Sequence, residues 1–163
     1  MDVIDTWFQV QATSARKSAA AVISNICKGG ALFKEIDHVH LDKLGELMRT
    51  QSYTAGEVII RQGEKGESMF VILEGTASAY LTDGIVLEQL TPGDIGGEMS
   101  LLADNLRNAS VRANTAVKVG IITRERFLNL IAADSVLHDA VWRSFAARAF
   151  NLGIHDQPEW VAA

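Results

Sequence analysis

The sequence predicts a mainly β fold with flanking helices, in the order helix, β-roll, helix. Between about Ser52 and Thr123, β-branched runs such as Val58-Ile59-Ile60, Met69 to Leu73 and Val117 to Ile122 alternate with glycine-bearing turns. A turn every roughly 8–12 residues, or closer, is the punctuation of a sandwich or barrel. On both sides of this stretch the apolar spacing becomes helical. The chain has 163 residues, a length that suits one hydrophobic core.

The elements follow in order. Residues 1 to about 50 read as helical: an alanine-rich segment from Ser14 to Cys27 stops at Gly29-Gly30, and Leu41, Leu44, Leu47 and Met48 follow at helical spacing. Residues 1–30 form a lead-in, either a linker or an oligomerisation helix. The β stretch is divided at Ala55-Gly56, Gln62-Gly63, Lys65-Gly66, Glu74-Gly75, Asp83-Gly84 and Pro92-Gly93. Gly96 to Leu102 suits one helical turn better than a strand, and such a turn opens with unpaired backbone N–H groups. From Arg124 the helical period returns, first through Phe127, Leu128, Leu130 and Ile131, then through Val136, Leu137, Ala140, Val141, Phe145 and Ala149. Ser135 is the expected N-cap between them. Gly153 and Pro158 end the last helix, so the domain runs over 31–152 with a tail at 153–163.

Composition excludes several functions. Lys and Arg number 15 against 20 Asp and Glu, a net charge of −5, which argues against a nucleic-acid partner or an anionic lipid surface. No run nears the roughly 18 apolar residues of a membrane span, and no export signal is present, so the expected location is cytoplasmic, without direct membrane insertion. Asn108-Ala109-Ser110 fits the glycosylation pattern, but without export it is read as coincidence. The one cysteine, Cys27, rules out a disulfide framework. His38, His40, His138 and His155 are scattered, which predicts no metal site. Gly63 to Ser68 lacks the order of a phosphate-binding Walker loop and reads as a strand turn. No nucleophile motif occurs, so no catalytic residue is assigned and no enzyme is expected.

The remaining chemistry gathers on one segment. Arg107 follows the helical turn closely enough to reach back over it, and a guanidinium can hold a phosphate from the side opposite the backbone amides. Glu98 is a poor neighbour for phosphate but a good acceptor for vicinal sugar hydroxyls, so the pair suits a ligand carrying both groups. An ordinary Glu/Arg ion pair is the structural alternative. Met99, Leu101 and Leu102 have core-type side chains.

Gly97-Glu98-Met99-Ser100-Leu101, five intervening residues, then Arg107-Asn108-Ala109-Ser110-Val111 resembles the phosphate-binding cassette of the cyclic nucleotide-binding domain family. The resemblance extends through Leu32-Phe33, Ala55 to Ile59, Arg61-Gln62-Gly63, Met69 to Ile72, Gly75 and Pro92-Gly93-Asp94, and covers about Ala31 to Asn151. It implies an eight-stranded jelly-roll, or β-roll, with a short cassette helix and a C-terminal lid over about 135–152. The implied ligand is cyclic AMP or cyclic GMP, with the weight on cyclic AMP and no other cofactor. In such a domain Glu98 accepts from the ribose 2′-hydroxyl and Arg107 binds the cyclic phosphate. Gly97 admits the ligand to the backbone, while the amides of Met99 and Ser100 and the hydroxyl of Ser110 supply further contacts.

Two positions depart from the family pattern. Asn108 stands where cyclic AMP binders often carry alanine and cyclic GMP binders threonine; Gly96 stands where the family carries phenylalanine, which predicts a looser pocket edge. By the same resemblance Arg148 contacts the base, with Phe145 and Leu152 near the same lid face. The implied function is a non-enzymatic sensor whose lid responds to ligand. Lacking a following helix-turn-helix or a second such domain, it is expected to regulate a larger channel or transporter polypeptide. The rival expectation is a protein-interaction module that keeps the fold without the ligand.

Overall fold

The computed structural model describes residues 3–103 and 106–151. Its strands are β1 (Arg49–Tyr53), β2 (Val58–Ile60), β3 (Ser68–Glu74), β4 (Ala77–Tyr80), β5 (Val86–Leu90), β6 (Ile95–Gly96), β7 (Ser110–Ala113) and β8 (Val117–Thr123). They form two antiparallel sheets, ordered β1-β8-β3-β6 and β2-β7-β4-β5. The mainly β architecture with flanking helices is the one the sequence predicts.

The run Met69 to Leu73 is unbroken in its hydrophobicity because both faces of β3 are covered. Phe70 and Ile72 join Val117, Val119 and Ile121 of β8 inside the roll, against Ile60, Leu90 and Val111 of the other sheet. Met69, Val71 and Leu73 face the opposite way, into a cluster with the helices. Those helices are α1 (Val3–Gly29), α2 (His38–Glu46), α4 (Arg124–Ala133) and α5 (Ser135–Asn151). Ile23 and Cys27 of α1 enter the same cluster. Burial pushes the Cys27 thiol up to about 12, so it acts there as a small hydrophobe.

Close backbone packing positions the helices. A Cβ at Gly45 of α2 would lie 2.7 Å from the Ala20 carbonyl oxygen of α1, and one at Gly30 would lie 2.5 Å from the Gly93 carbonyl oxygen. The end of α1 thus rests on the turn that feeds β6. Gly93 itself has φ of +93°, a conformation costly for any residue with a Cβ. From this turn β6 pairs with β3 in the register Val71↔Ile95 and Phe70↔Gly96, which delivers Gly97 and α3 (Glu98–Leu102) to the mouth of the roll.

Three local expectations are corrected. The second helix stops at Glu46, with Leu47 as its C-cap, and β1 begins at Arg49 rather than near Ser52. Val136 is 40% exposed rather than on the buried face. The N-cap of α5 is Asp134, not Ser135: Asp134 Oδ1 accepts from the N–H groups of Val136 at 3.1 Å and Leu137 at 3.2 Å. A carboxylate there accepts two orphan donors and complements the helix dipole, which a hydroxyl one residue later cannot do. Leu152 and the 153–163 tail lie outside the described residues.

Asp134 has a second set of partners. Its Oδ2 accepts from His40 Nδ1 at 2.7 Å and Lys43 Nζ at 3.4 Å, both on α2. Burial pushes its carboxyl up, but the His40 hydrogen bond, the Leu137 N–H, the His40 charge and Lys43 together hold it below the ordinary aspartate value. A carboxyl depressed in the folded state stabilises above its unfolded pKa, and that contribution disappears as pH falls through the folded value. Asp134→Asn is therefore expected to cost about 1–3 kcal/mol near neutral pH, with the deficit shrinking in acid. Urea unfolding of both proteins across that range checks this; an equal deficit at every pH would show that the charge is not what acts.

Candidate functional site

A cavity of about 650 Å³ opens between the roll, the cassette and α5. Its walls bring together Gly97, Glu98, Met99, Ser100, Arg107, Asn108 and Arg148. These come from three separate segments, and only the tertiary fold makes them neighbours. Ser110 is not among the lining residues; at the start of β7 its Oγ accepts the Gln62 N–H at 2.9 Å.

The cassette is built from close approaches. Gly97 precedes α3 with φ of +84°, a conformation that favours glycine, and a Cβ on it would sit 2.7 Å from Arg107 Nη1 and displace that arm. Arg107 is held at its backbone, its N–H donating to Glu64 O at 2.8 Å and its carbonyl accepting from the Gly63 N–H at 2.9 Å. Its Nη1 donates to Gly97 O at 3.0 Å and to Ser100 Oγ at 2.7 Å. Among the described residues Nη1 is the only engaged arm, which leaves Nε and Nη2 as donors for an anion. Burial pulls the Arg107 pKa down, partly countered by Glu98, Glu67 and Glu64; a guanidinium nonetheless stays cationic. Because α3 is only five residues long, positive charge at the cassette comes from Arg107 rather than from a helix dipole.

Glu98 is fully buried at the first turn of α3. Its Oε1 accepts from Arg148 Nη1 at 2.5 Å and from Ser144 Oγ at 3.4 Å, whereas Oε2 has no hydrogen-bond partner among the described residues. Arg148 also donates from Nη2 to Ile95 O at 2.8 Å and from Nε to Glu88 Oε2 of β5 at 3.0 Å. Burial lowers the Arg148 pKa, but the charges of Glu98 and Glu88 and their hydrogen bonds outweigh it and raise it. One arginine thereby ties α5 to β5, to β6 and to the cassette. A guanidinium with two nitrogens unengaged among the described residues, a buried carboxylate and the apolar side chains of Val86 and Leu87 thus line one space.

The family model for "Cyclic nucleotide-binding domain" matches residues 50–134. The chain belongs to the cyclic nucleotide-binding domain family. A cAMP-dependent protein kinase regulatory subunit of Colletotrichum orbiculare is 39% identical over 90 residues, 55% of this chain and 23% of that protein. Human cGMP-dependent protein kinase 2 is 28% identical over 140 residues, 85% of this chain and 18% of its own length. A solved structure described as "Sp-2Cl-cAMPS bound to PKAR CBD2" superposes with a TM-score of 0.69 at 27% identity, covering 89% of this chain and 96% of that one. The chain therefore spans about a quarter or less of these curated relatives, which are protein-kinase regulators or kinases rather than the channels or transporters expected from sequence. Since a relative can contain much more chain, the expectation built on a missing second domain loses its basis.

Within this cyclic nucleotide-binding domain, two expectations about the pocket are corrected. Phe145 does not face the ligand cavity: it is 4% exposed, lies in the helix-side core, and meets Trp142 edge-on at 5.2 Å. Nor does Gly96 loosen the pocket edge. A Cβ at Gly96 would lie 2.3 Å from the Phe70 ring, so the aromatic bulk comes from the paired residue of β3 instead. Arg148 does line the cavity, but its donors are spent on Glu98, Glu88 and Ile95 rather than left for a base. Asn108 also lines it, with no side-chain partner among the described residues.

Sequence reasoning missed Glu88, Ser144 and Gly66. Glu88 is an ordinary exposed-face residue of an alternating strand until α5 crosses it. A Cβ at Gly66 would fall 2.0 Å from Ser100 Oγ, so the turn before β3 props the cassette; its glycine was legible, its contact was not. Arg148→Ala leaves Glu98 buried without its cation and is expected to destabilise the domain by about 3–5 kcal/mol. Adding Glu98→Gln to that variant should recover much of the loss in urea unfolding. No recovery would show that Arg148 acts through packing rather than charge.

Proposed function

We propose that this domain is a non-catalytic sensor that binds a cyclic nucleotide, cyclic AMP foremost, in the roll. One observation carries the reading: the buried Glu98 Oε2 and the Nε and Nη2 arms of Arg107, all without a partner among the described residues, belong to the wall of the same cavity. A vicinal hydroxyl supplies the missing donor, and a cyclic phosphate takes the guanidinium. Fold alone does not choose the ligand; this pairing of needs does. Regulatory subunits of cAMP-dependent kinase among the relatives, and the neighbour bound to a cAMP analogue, support cyclic AMP. The cGMP-dependent kinase relative and the Asn108 amide, without a side-chain partner among the described residues, make cyclic GMP the comparison ligand.

The same relatives support a place in kinase regulation, with a protein-kinase catalytic moiety as partner. The signal leaves through α5, because Arg148 couples that helix directly to the ribose acceptor. Ligand can shift α5 only by its differential affinity for two arrangements of the helix.

Titration calorimetry with both nucleotides tests this. Arg107→Ala should cost about 2–5 kcal/mol of binding, a loss of roughly thirty- to several-thousand-fold. The 2′-deoxy ligand should bind wild type about 1–2 kcal/mol more weakly, but should equal the parent ligand on Glu98→Ala. Binding unchanged in Arg107→Ala, or no binding of either nucleotide by wild type, would overturn the proposal.

A further inference from the structure

The outer face of the sheet β2-β7-β4-β5 carries a depression of its own. Val111 and Ala113 of β7 are buried in the roll, so Arg112 between them lies outside. There it lines a groove of about 420 Å³ with Ser78 and Tyr80 of β4, Thr82 of the following turn, Val86 of β5 and Asn114. Among the described residues, only Val86 lines both this groove and the nucleotide cavity. Nothing in the chemistry of the cassette uses Arg112.

Arg112 is held in place but not neutralised. Its guanidinium lies over the Tyr80 ring, 5.0 Å from the centroid, and Nη2 donates to Tyr80 Oη at 3.4 Å. Attraction to a ring face fixes a cation without cancelling its charge. Among the described residues no carboxylate lines the groove, and Nε and Nη1 have no partner. The groups around it are donors as well. Tyr80 Oη accepts from Arg112, so its own proton is free to point elsewhere. Asn114 Nδ2 donates to Ser78 Oγ at 2.9 Å, which leaves the second amide proton. The Thr82 hydroxyl completes the set. A planar carboxylate is best met by two parallel arms of an unoccupied guanidinium, and here Nη2 is already engaged. A phosphate monoester accepts through three terminal oxygens from donors arriving in several directions.

We propose that this outer groove is a docking site for a phosphorylated serine or threonine of a partner peptide, with Arg112 as the charged contact and Tyr80 as its support. The phosphate takes the free guanidinium arms, the Tyr80 and Thr82 hydroxyls and the Asn114 amide. A peptide rather than a free ion fits because the flanks of the groove, Leu81 and Val86, are apolar. Val86 is 62% exposed and belongs to β5, the end strand of its sheet. An extended chain can lie against such an edge and rest its neighbouring side chains on the flanks, whereas inorganic phosphate gains nothing from either. The site stands whether or not the cassette binds a nucleotide.

Amide chemical shifts of the whole chain, titrated with N-acetyl-phosphoserine N-methylamide, the matching capped aspartate and inorganic phosphate, test this. Each titration is run on wild type and on Arg107→Ala, which removes the anion contact of the cassette. In both proteins the capped phosphoserine should move the amides of residues 78–86 and 112–114. It should bind roughly threefold or more tightly than the capped aspartate or inorganic phosphate, because only it offers both the tetrahedral anion and a peptide flank. Arg112→Ala should weaken it about tenfold or more. Arg112→Gln keeps the stem of the side chain without the charge and should match that loss, while Tyr80→Phe, which keeps the ring under the cation, should weaken binding about threefold. Shifts that persist in Arg112→Ala and Arg112→Gln would overturn the proposal. So would shifts confined to residues 97–100, or inorganic phosphate binding as tightly as the capped phosphoserine.

Discussion

A glutamate buried to the last atom, with one oxygen paired to Arg148 and the other unpaired among the described residues, is the constraint on which the rest of this molecule turns. Burying a carboxylate is tolerable only when charge and hydrogen bonds compensate it. Here the compensation comes from an arginine 50 residues further along the chain, and it is incomplete. The position of α5, the role of Glu88 as second anchor for the same guanidinium, and the chemistry asked of a ligand all follow from that one side chain.

The scaffold serves this arrangement by close backbone packing. Gly97 allows Arg107 to fold back onto the turn before α3, Gly66 allows the neighbouring turn to approach Ser100, and Gly93 receives the end of α1. None of these contacts adds appreciable apolar burial. Their value is geometric: the first two let the Arg107 and Ser100 side chains lie directly on main chain, and the third brings main chain to main chain, so the cassette and the helix pair sit close against the roll. Phe70 opposite Gly96 follows the same logic in reverse, a ring supplied by one strand filling the space left by its partner.

Much of the architecture was legible. Alternating and unbroken β-branched runs, turn glycines and the return of helical spacing at Arg124 each report a local preference, and the structure agrees with them. Boundaries were less legible where two elements abut without a breaker, as at Leu47 to Arg49, and where adjacent residues compete for one cap, as at Asp134 and Ser135. Within the site, the pairing of residue types at Glu98 and Arg107 was readable from the motif, but their meeting on one cavity wall was not. Phe145 departs from what the resemblance implies: its helical spacing marks a buried face without saying what covers it, and that face meets the core rather than the cavity.

By itself the sequence determined the order of elements, the glycine-opened turn before α3, and the pair of residue types, carboxylate and guanidinium, that characterise the cassette; these depend on local conformational preference and on short spacing. Only the tertiary structure decided that Arg148 spends its donors on Glu98 and Glu88, that Ser110 lies outside the cavity wall, and that His40 reaches Asp134 across 94 residues. Such contacts depend on where α2 and α5 come to rest against the roll, and long-range packing leaves no periodic trace in the chain that makes it.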